Sequence, residues 1–343
     1  MDFTLEERSR LDFVLALRGR WSDTLYPALK SQFQAEANPA NIRAAVHRQP
    51  AYPWFAFTER ASQKMLWRGV ADAVAAREPS QHGNSSGPAR LTLDPDLALP
   101  DWYTGWDIHL QPGGVWRDDD SADVYEQGAK LVMLGDNDDY GFHRSFTATA
   151  IPDLPYRRIV DLGCGFGKST WPLKRRFPDA EVIGVDLAAP CLRLAFDRAN
   201  AAELAIEFRQ ADGQATGLAD TSVDLVTSTM FIHEIPRPAL AATLAECARI
   251  LAPGGKLRFL DFTRTGDAFR DLAMVEHGER NNEPFMPGLL AADVPALCEA
   301  AGLTDARWVA FDERGAGRLP ECAWPERAEW HFPWAVLEAE KAA

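Results

Sequence analysis

VDLGCGFGKST, residues 160–170, sets three glycines at alternate positions and follows the last with Lys168 and Ser169. Arg158, Ile159 and Val160 carry a short apolar strand into this stretch, and residues 168–176 read as the helix that leaves it. A phosphate loop of the G-x-x-x-x-G-K-[ST] kind requires a glycine five positions before Gly167. Leu162 stands there, and leucine cannot replace a glycine where backbone amides fold around phosphates. The dinucleotide pattern G-x-G-x-x-G would need a glycine at position 168, which is Lys168; variants of the third glycine exist, so this test excludes less. A third pattern fits without exception: an acid ending a strand, then G-x-G-x-G, carried here by Asp161, Gly163, Gly165 and Gly167.

The chain around this loop has 343 residues, enough for one large or two medium domains. Hydrophobic residues make up 46%, including 11 Trp and 18 Phe, so a sizeable core is available. Lys and Arg number 36 against 50 Asp and Glu, and the net charge of −14 repels a phosphate backbone, which argues against DNA or RNA as partner. Lys174-Arg175-Arg176 is the one basic cluster and reads as a solvated helix face. Cys164, Cys191, Cys247, Cys298 and Cys322 are scattered, odd in number and without C-x-x-C spacing, which suits reduced thiols in the cytoplasm better than disulfides or a zinc site. The first residues show no signal-peptide pattern, and no apolar run approaches the ~20 residues that span a bilayer.

Residues 1–150 read as largely helical, a cap or dimerisation region. Thr4 and Glu7 form a capping box ahead of Leu11, Val14, Leu15 and Trp21 at helical spacing. Pro39 can open a second helix, with Ile42, Ala45 and Val46 on one face, and Thr58 can cap a third, with Met65, Leu66, Val70 and Val74 as its stripe. Residues 77–90 are polar punctuation rich in Gly, Pro and Ser, residues 101–116 are irregular and Trp-rich, and a helix is expected over 121–134. From Tyr156 onward strands alternate with helices, which predicts a parallel sheet with right-handed crossovers over residues 151–343. Strands are expected at 157–161, 181–186, 206–211, 223–228, 256–262, 306–312 and 330–338. Helices are expected at 168–177, 189–202, 238–251 and 291–301.

Five features stand in order between residues 158 and 262: DLGCGFG, GVDL, ADG, DLVTS and APGGKL. Together they resemble the class I S-adenosylmethionine (SAM) methyltransferases, most closely the small-molecule group related to the quinone and sterol methylases. The resemblance implies a Rossmann-like α/β fold, with a seven-stranded, mostly parallel sheet, helices on both faces and an antiparallel last strand. It implies SAM as cofactor and a small-molecule acceptor with an O, N, S or C nucleophile; the sulfonium is already activated, so no metal is expected. Asp186, ending the second strand beside Leu187, can accept both ribose hydroxyls; Asp212-Gly213, ending the third, can meet the adenine. Asp161, Gly163, Cys164, Gly165, Gly167 and Thr229 complete the implied cofactor site.

For the acceptor, FIHEIP at 231–236 offers His233 as a general base and Glu234 as a partner for the sulfonium or a cationic acceptor. The alternatives are a packed histidine and an exposed first-turn carboxylate. In the same family the segment before the glycine loop often folds over the cofactor, making Tyr140, Phe142 and His143 lid candidates, with Met230 facing the substrate. The N-terminal helices offer a surface for a homodimer, and neither a nucleic acid nor a membrane is expected as a partner. Two rival functions remain at this stage, a non-catalytic SAM-binding subunit and a nicotinamide-dependent oxidoreductase.

Overall fold

The computed structural model describes residues 1–33, 39–133, 140–320 and 323–343. Among the described residues, nine strands form one mixed sheet: β1 (Arg90–Thr92), β2 (Arg158–Leu162), β3 (Glu181–Asp186), β4 (Ile206–Gln210), β5 (Val223–Thr229), β6 (Leu251–Phe262), β7 (Leu303–Asp312), β8 (Gly317–Arg318) and β9 (Trp334–Lys341). Their spatial order is β1-β4-β3-β2-β5-β6-β9-β7-β8. Strands β1 to β6 pair in parallel, and β9 runs antiparallel between β6 and β7.

The expected count of seven is corrected to nine. Arg90–Thr92 adds to the open edge of β4, and Gly317–Arg318 folds back on Phe311 and Asp312. Segments of three and two residues are too short to show a period of two, so sequence patterning could not register them. Thr58 is a second correction. The helix runs Tyr52–Ala75, opened by Pro53 in its first turn, and the Thr58 hydroxyl donates to the Trp54 carbonyl inside it at 2.6 Å. The Thr4–Glu7 capping box is present at the head of helix Leu5–Arg20, and Pro39 begins helix Pro39–His47. The helix expected over 121–134 spans Asp119–Leu131; residues 134–139, the front of the expected lid, lie outside the described residues, as does Cys322.

Alternation along the strands separates two cores. Ile159, Val182 and Leu225 point to one face, where helices Thr170–Arg176 and Ala189–Ala201 cover them. Val160, Ile183 and Val226 point to the other, under helices Arg237–Ile250 and Val294–Ala300. The first core continues into the N-terminal helices. Tyr26 packs on Phe269 at 5.4 Å and Trp330 at 5.3 Å, and Trp21 on Phe55 at 5.7 Å.

Buried polar contacts fasten the same join. Glu59 accepts from His277 Nδ1 at 2.5 Å and from Arg280, while Glu276 accepts from the Tyr52 hydroxyl at 2.8 Å. A buried carboxylate costs several kcal/mol unless paired in this way, so these contacts hold helix Tyr52–Ala75 in one position against helix Ala268–Arg280. Among the described residues no helix is long and apolar enough to cross a membrane.

Gly128, on helix Asp119–Leu131, fixes where that helix crosses helix Tyr52–Ala75. A Cβ there would stand 2.0 Å from Cζ3 of Trp67, whose side chain is buried. Gly128→Ala gains about 1 kcal/mol of helix propensity but forces Trp67 to move, at about 1–3 kcal/mol. The expected result is a net loss of stability in urea unfolding, in contrast to the gain an open helical glycine would give.

Candidate functional site

The chain builds β2, β3 and β4 outward to one side, then returns to lay β5 on the other side of β2. The strand order reverses beside β2, and ligands of open α/β sheets collect outside the carboxyl ends of the strands at such a point. A cavity of about 850 Å³ opens there, bordered by Gly163, Gly165, Asp186, Leu187, Asp212 and Gly213 at the strand ends.

The glycine loop is locked from behind. Gly163, Gly165 and Gly167 have φ of 64°, 52° and 91°, a region that glycine enters without steric cost. The Gly165 N–H donates to Asp186 Oδ2 at 2.8 Å, and the Ala188 N–H donates to Oδ1 at 2.8 Å. The Cys164 N–H donates to the Val185 carbonyl at 3.1 Å, so the loop is stitched to β3 along its length. Burial pushes the Asp186 carboxyl up to about 6, against the pull of those backbone donors. Asp212 accepts from the Gln214 backbone N–H at 2.8 Å and from its side-chain amide at 3.0 Å.

Asp161 is placed elsewhere. It is buried beneath the loop, where Oδ2 accepts from the Ser169 and Thr170 hydroxyls at 2.6 and 2.7 Å and Oδ1 from Thr227 at 3.2 Å. Burial pushes it up to about 6. It braces the strand–loop–helix junction and does not border the cavity. Cys164, Gly167 and Thr229 do not border it either; the Cys164 thiol is buried, and burial raises it well above the ordinary thiol range. Phe142 is core, 4.6 Å from Trp334 and 5.5 Å from Phe311, and His143 is fully buried beside it. Tyr140 packs on Phe166 and Trp171 at 5.8 and 6.0 Å. The structure therefore brings none of the three lid candidates to the cavity.

A second cavity, of about 670 Å³, adjoins the first; His109, Tyr125, Met230 and Glu234 border both. Its far walls are Arg18, Gln63 and Trp67 from the N-terminal helices, His233 and Phe262 from the sheet end, Trp334 from the last strand and Phe332 from the segment leading into it. Lys168, the residue that mimicked a phosphate-loop lysine, reaches this second cavity, donating to the Tyr125 hydroxyl at 2.9 Å. Burial pulls its ammonium down to about 8.

Titratable side chains concentrate where the cavities meet. His233 Nδ1 lies 2.8 Å from Asp261 Oδ1, and His109 holds Glu283 at Nδ1 (2.8 Å) and Glu234 at Nε2 (3.0 Å). Burial works against charge on His109, but the two carboxylates outweigh it and raise its pKa to about 10. Burial likewise opposes charge on His233, and Asp261 raises its pKa on balance. Sequence reading found His233 and Glu234 but missed His109, Tyr125, Asp261 and Glu283. His109 does carry one signal, lying in the Trp-rich 101–116 stretch, where irregular backbone has no packing periodicity to explain a histidine.

The residues at the first cavity fit a SAM-sized nucleoside. A Cβ on Gly163 would stand 2.7 Å from the Phe231 ring, so bare backbone is the only lining possible there. Asp186 and Asp212 offer acceptors at the two strand ends the nucleoside would span. Comparisons with known proteins agree in kind. A family model described as "Methyltransferase domain" matches residues 159–255. The demethylmenaquinone methyltransferase of Thermus thermophilus is 33% identical over 175 residues, covering 51% of this chain and 77% of that protein. The enzyme of the same name from Deinococcus radiodurans is 35% identical over 141 residues, 41% of this chain and 56% of that one. The malonyl-[acyl-carrier protein] O-methyltransferase of Methylococcus capsulatus is 37% identical over 108 residues, and the chain covers 38% of its length.

Proposed function

Because the chain belongs to the class I SAM-dependent methyltransferases, we propose that its adjoining cavities divide the reaction, the first holding SAM and the second the acceptor. SAM is the methyl donor, the acceptor is a small molecule, and S-adenosylhomocysteine is the product left behind. The observation that carries the division is the shared wall of His109, Tyr125, Met230 and Glu234, a place where donor and acceptor can meet. Bound SAM supplies an electrophilic methyl group on a sulfonium.

The chain's own residues then do three things. Gly163 and Gly165 give backbone to the methionine part, Asp186 takes the ribose hydroxyls with its remaining lone pairs, and Asp212 with Gly213 and Leu187 frames the adenine. Trp67, Phe262 and Trp334 give the acceptor cavity flat apolar walls suited to a ring-bearing molecule, with water kept out. His233 and Glu234, joined by His109, activate the nucleophile at the junction.

Residues 1–150 serve in this reading as the cap that closes the acceptor cavity, and 151–343 as the methyl-transfer domain. Arg18, Gln63 and Trp67 in the cavity wall support that role. Exposed Phe13, Trp54 and Phe57 on the same helices support a homodimer. Free cysteines at 164, 191, 247 and 298 suit a cytoplasmic location.

Incubating the protein with SAM and a small-metabolite extract is expected to release S-adenosylhomocysteine. Asp186→Ala is expected to weaken SAM binding in calorimetry by about 10- to 150-fold, the cost of hydrogen bonds lost to a charged acceptor. Wild-type SAM affinity in that variant removes Asp186 from the site. Tight SAM binding with no product from any extract makes the chain a SAM-binding subunit instead.

A further inference from the structure

His109 and His233 come to the junction from separate segments of the chain, yet their surroundings are alike. Each ring has a carboxylate oxygen 2.8 Å from Nδ1, that of Glu283 for His109 and that of Asp261 for His233. Each therefore turns Nε2 toward the same oxygen, Glu234 Oε1, hydrogen-bonded to His109 at 3.0 Å and 3.9 Å from His233. One ligand atom from each of the three residues lies within 4.8 Å of the others.

The carboxylates behind the rings are themselves fixed. Asp261 accepts from the backbone N–H groups of Phe231, Ile232 and Phe262 at 3.0, 2.9 and 2.8 Å, and Glu283 is buried. A carboxylate on the outer nitrogen of a histidine fixes its tautomer and raises the basicity of the inner nitrogen, the usual support of a metal-binding histidine. Ligands about 2.1 Å from one ion stand roughly 3.0–3.4 Å apart in octahedral or tetrahedral geometry. The observed 3.0 and 3.9 Å bracket that spacing.

We propose that His109, His233 and Glu234 bind a divalent first-row transition ion, zinc or iron(II), whose open positions face the acceptor cavity. Two histidines and one carboxylate leave at least one position unfilled, as catalytic sites do and closed structural sites do not. An acceptor hydroxyl or thiol takes that position as its anion and releases its proton to solvent. The ion acts as the Lewis acid that makes the anion accessible near neutral pH, as bound water is brought from 15.7 to about 7. This rests on the two-cavity reading, and it departs from the expectation that an activated sulfonium makes a metal unnecessary.

The test is metal uptake, read separately from activity. Untagged full-length protein is dialysed against EDTA, then titrated with zinc(II) or cobalt(II) by calorimetry, with metal content measured by mass spectrometry. One equivalent is expected to bind, with visible cobalt absorption. His109→Ala and Glu234→Gln are expected to abolish uptake, and Asp261→Asn to weaken it by about 10- to 100-fold. Asp261→Asn is nearly isosteric, so it reads the site even where His109→Ala fails to fold. Absence of uptake, or uptake equal in wild type and His109→Ala, overturns the proposal. If that occurs while SAM binds and product forms in EDTA, the two-cavity reading stands without the ion; if metal binds and SAM does not, that reading fails instead.

Discussion

Gly165→Val is expected to remove measurable SAM binding while far-UV circular dichroism keeps its wild-type shape. Two independent penalties fall on this position. Its φ of 52° is left-handed, costing an L residue about 1–2 kcal/mol, and a β-branched residue there is a genuine outlier. A Cβ would also stand 3.1 Å from Tyr125 Cε1, so the two γ-methyls of valine must enter the cavity or displace the tyrosine. Relief by backbone rotation is blocked, because the Gly165 N–H is committed to Asp186 Oδ2 at 2.8 Å. Rotation would cost the Asp186 carboxylate its position as well.

Gly217 supplies the control. It has φ of 70°, but a Cβ there meets nothing within 4 Å. Gly217→Ala carries the backbone strain alone and is expected to lower the melting temperature with SAM affinity unchanged in calorimetry. If Gly165→Val binds SAM as wild type does, the glycine loop does not hold the donor.

The contrast between these glycines explains what the sequence could disclose. Strands β2 and β3 were legible as short apolar runs ended by an acid, β4 as Ile206 and Phe208 alternating with polar residues ahead of Asp212-Gly213, and β5 as Val223, Leu225 and Val226 ahead of Thr227-Ser228-Thr229. Asp186 and Asp212 follow from that punctuation alone. Helix Ala268–Arg280 was missed although Phe269, Ala273, Met274 and His277 lie on one side of it. Its buried Glu276 and His277 are polar, and their partners, Tyr52 and Glu59, lie more than two hundred residues away.

The junction failed to show for the same reason. His109, Glu283 and His233 come from three separate segments, and only tertiary packing makes them neighbours. Asp161 and the lid candidates err in the opposite direction. A family pattern marks the acid before the glycines and the segment ahead of them, but not which way a side chain turns. Three hydroxyls claim Asp161 from behind the loop. Phe142 and Phe146, four apart on helix Gly141–Thr149, form a buried stripe that points into the core.

His233→Ala is expected to lower kcat by about 10²- to 10⁴-fold with SAM affinity nearly unchanged. The split follows from position, since His233 borders the second cavity and does not border the first. Its Nδ1 is committed to Asp261, so its contribution to the reaction passes through Nε2, whether that atom holds a proton or an ion. Alanine removes the atom and leaves the Asp261 carboxylate facing a void, although the backbone donors of Phe231, Ile232 and Phe262 remain to satisfy it. Stability therefore falls, because the ring is buried and packs on Phe262 at 4.9 Å, but the protein is expected to stay folded at assay temperature. A packing histidine would predict the fall in melting temperature with only a modest loss of rate, and Phe262→Leu gives that comparison by disturbing the same contact without touching Nε2. Release of S-adenosylhomocysteine at saturating SAM, measured in both variants, decides between them. Equal modest losses make His233 structural; a deep loss in His233→Ala alone, with calorimetric SAM affinity retained, assigns it to activation of the acceptor.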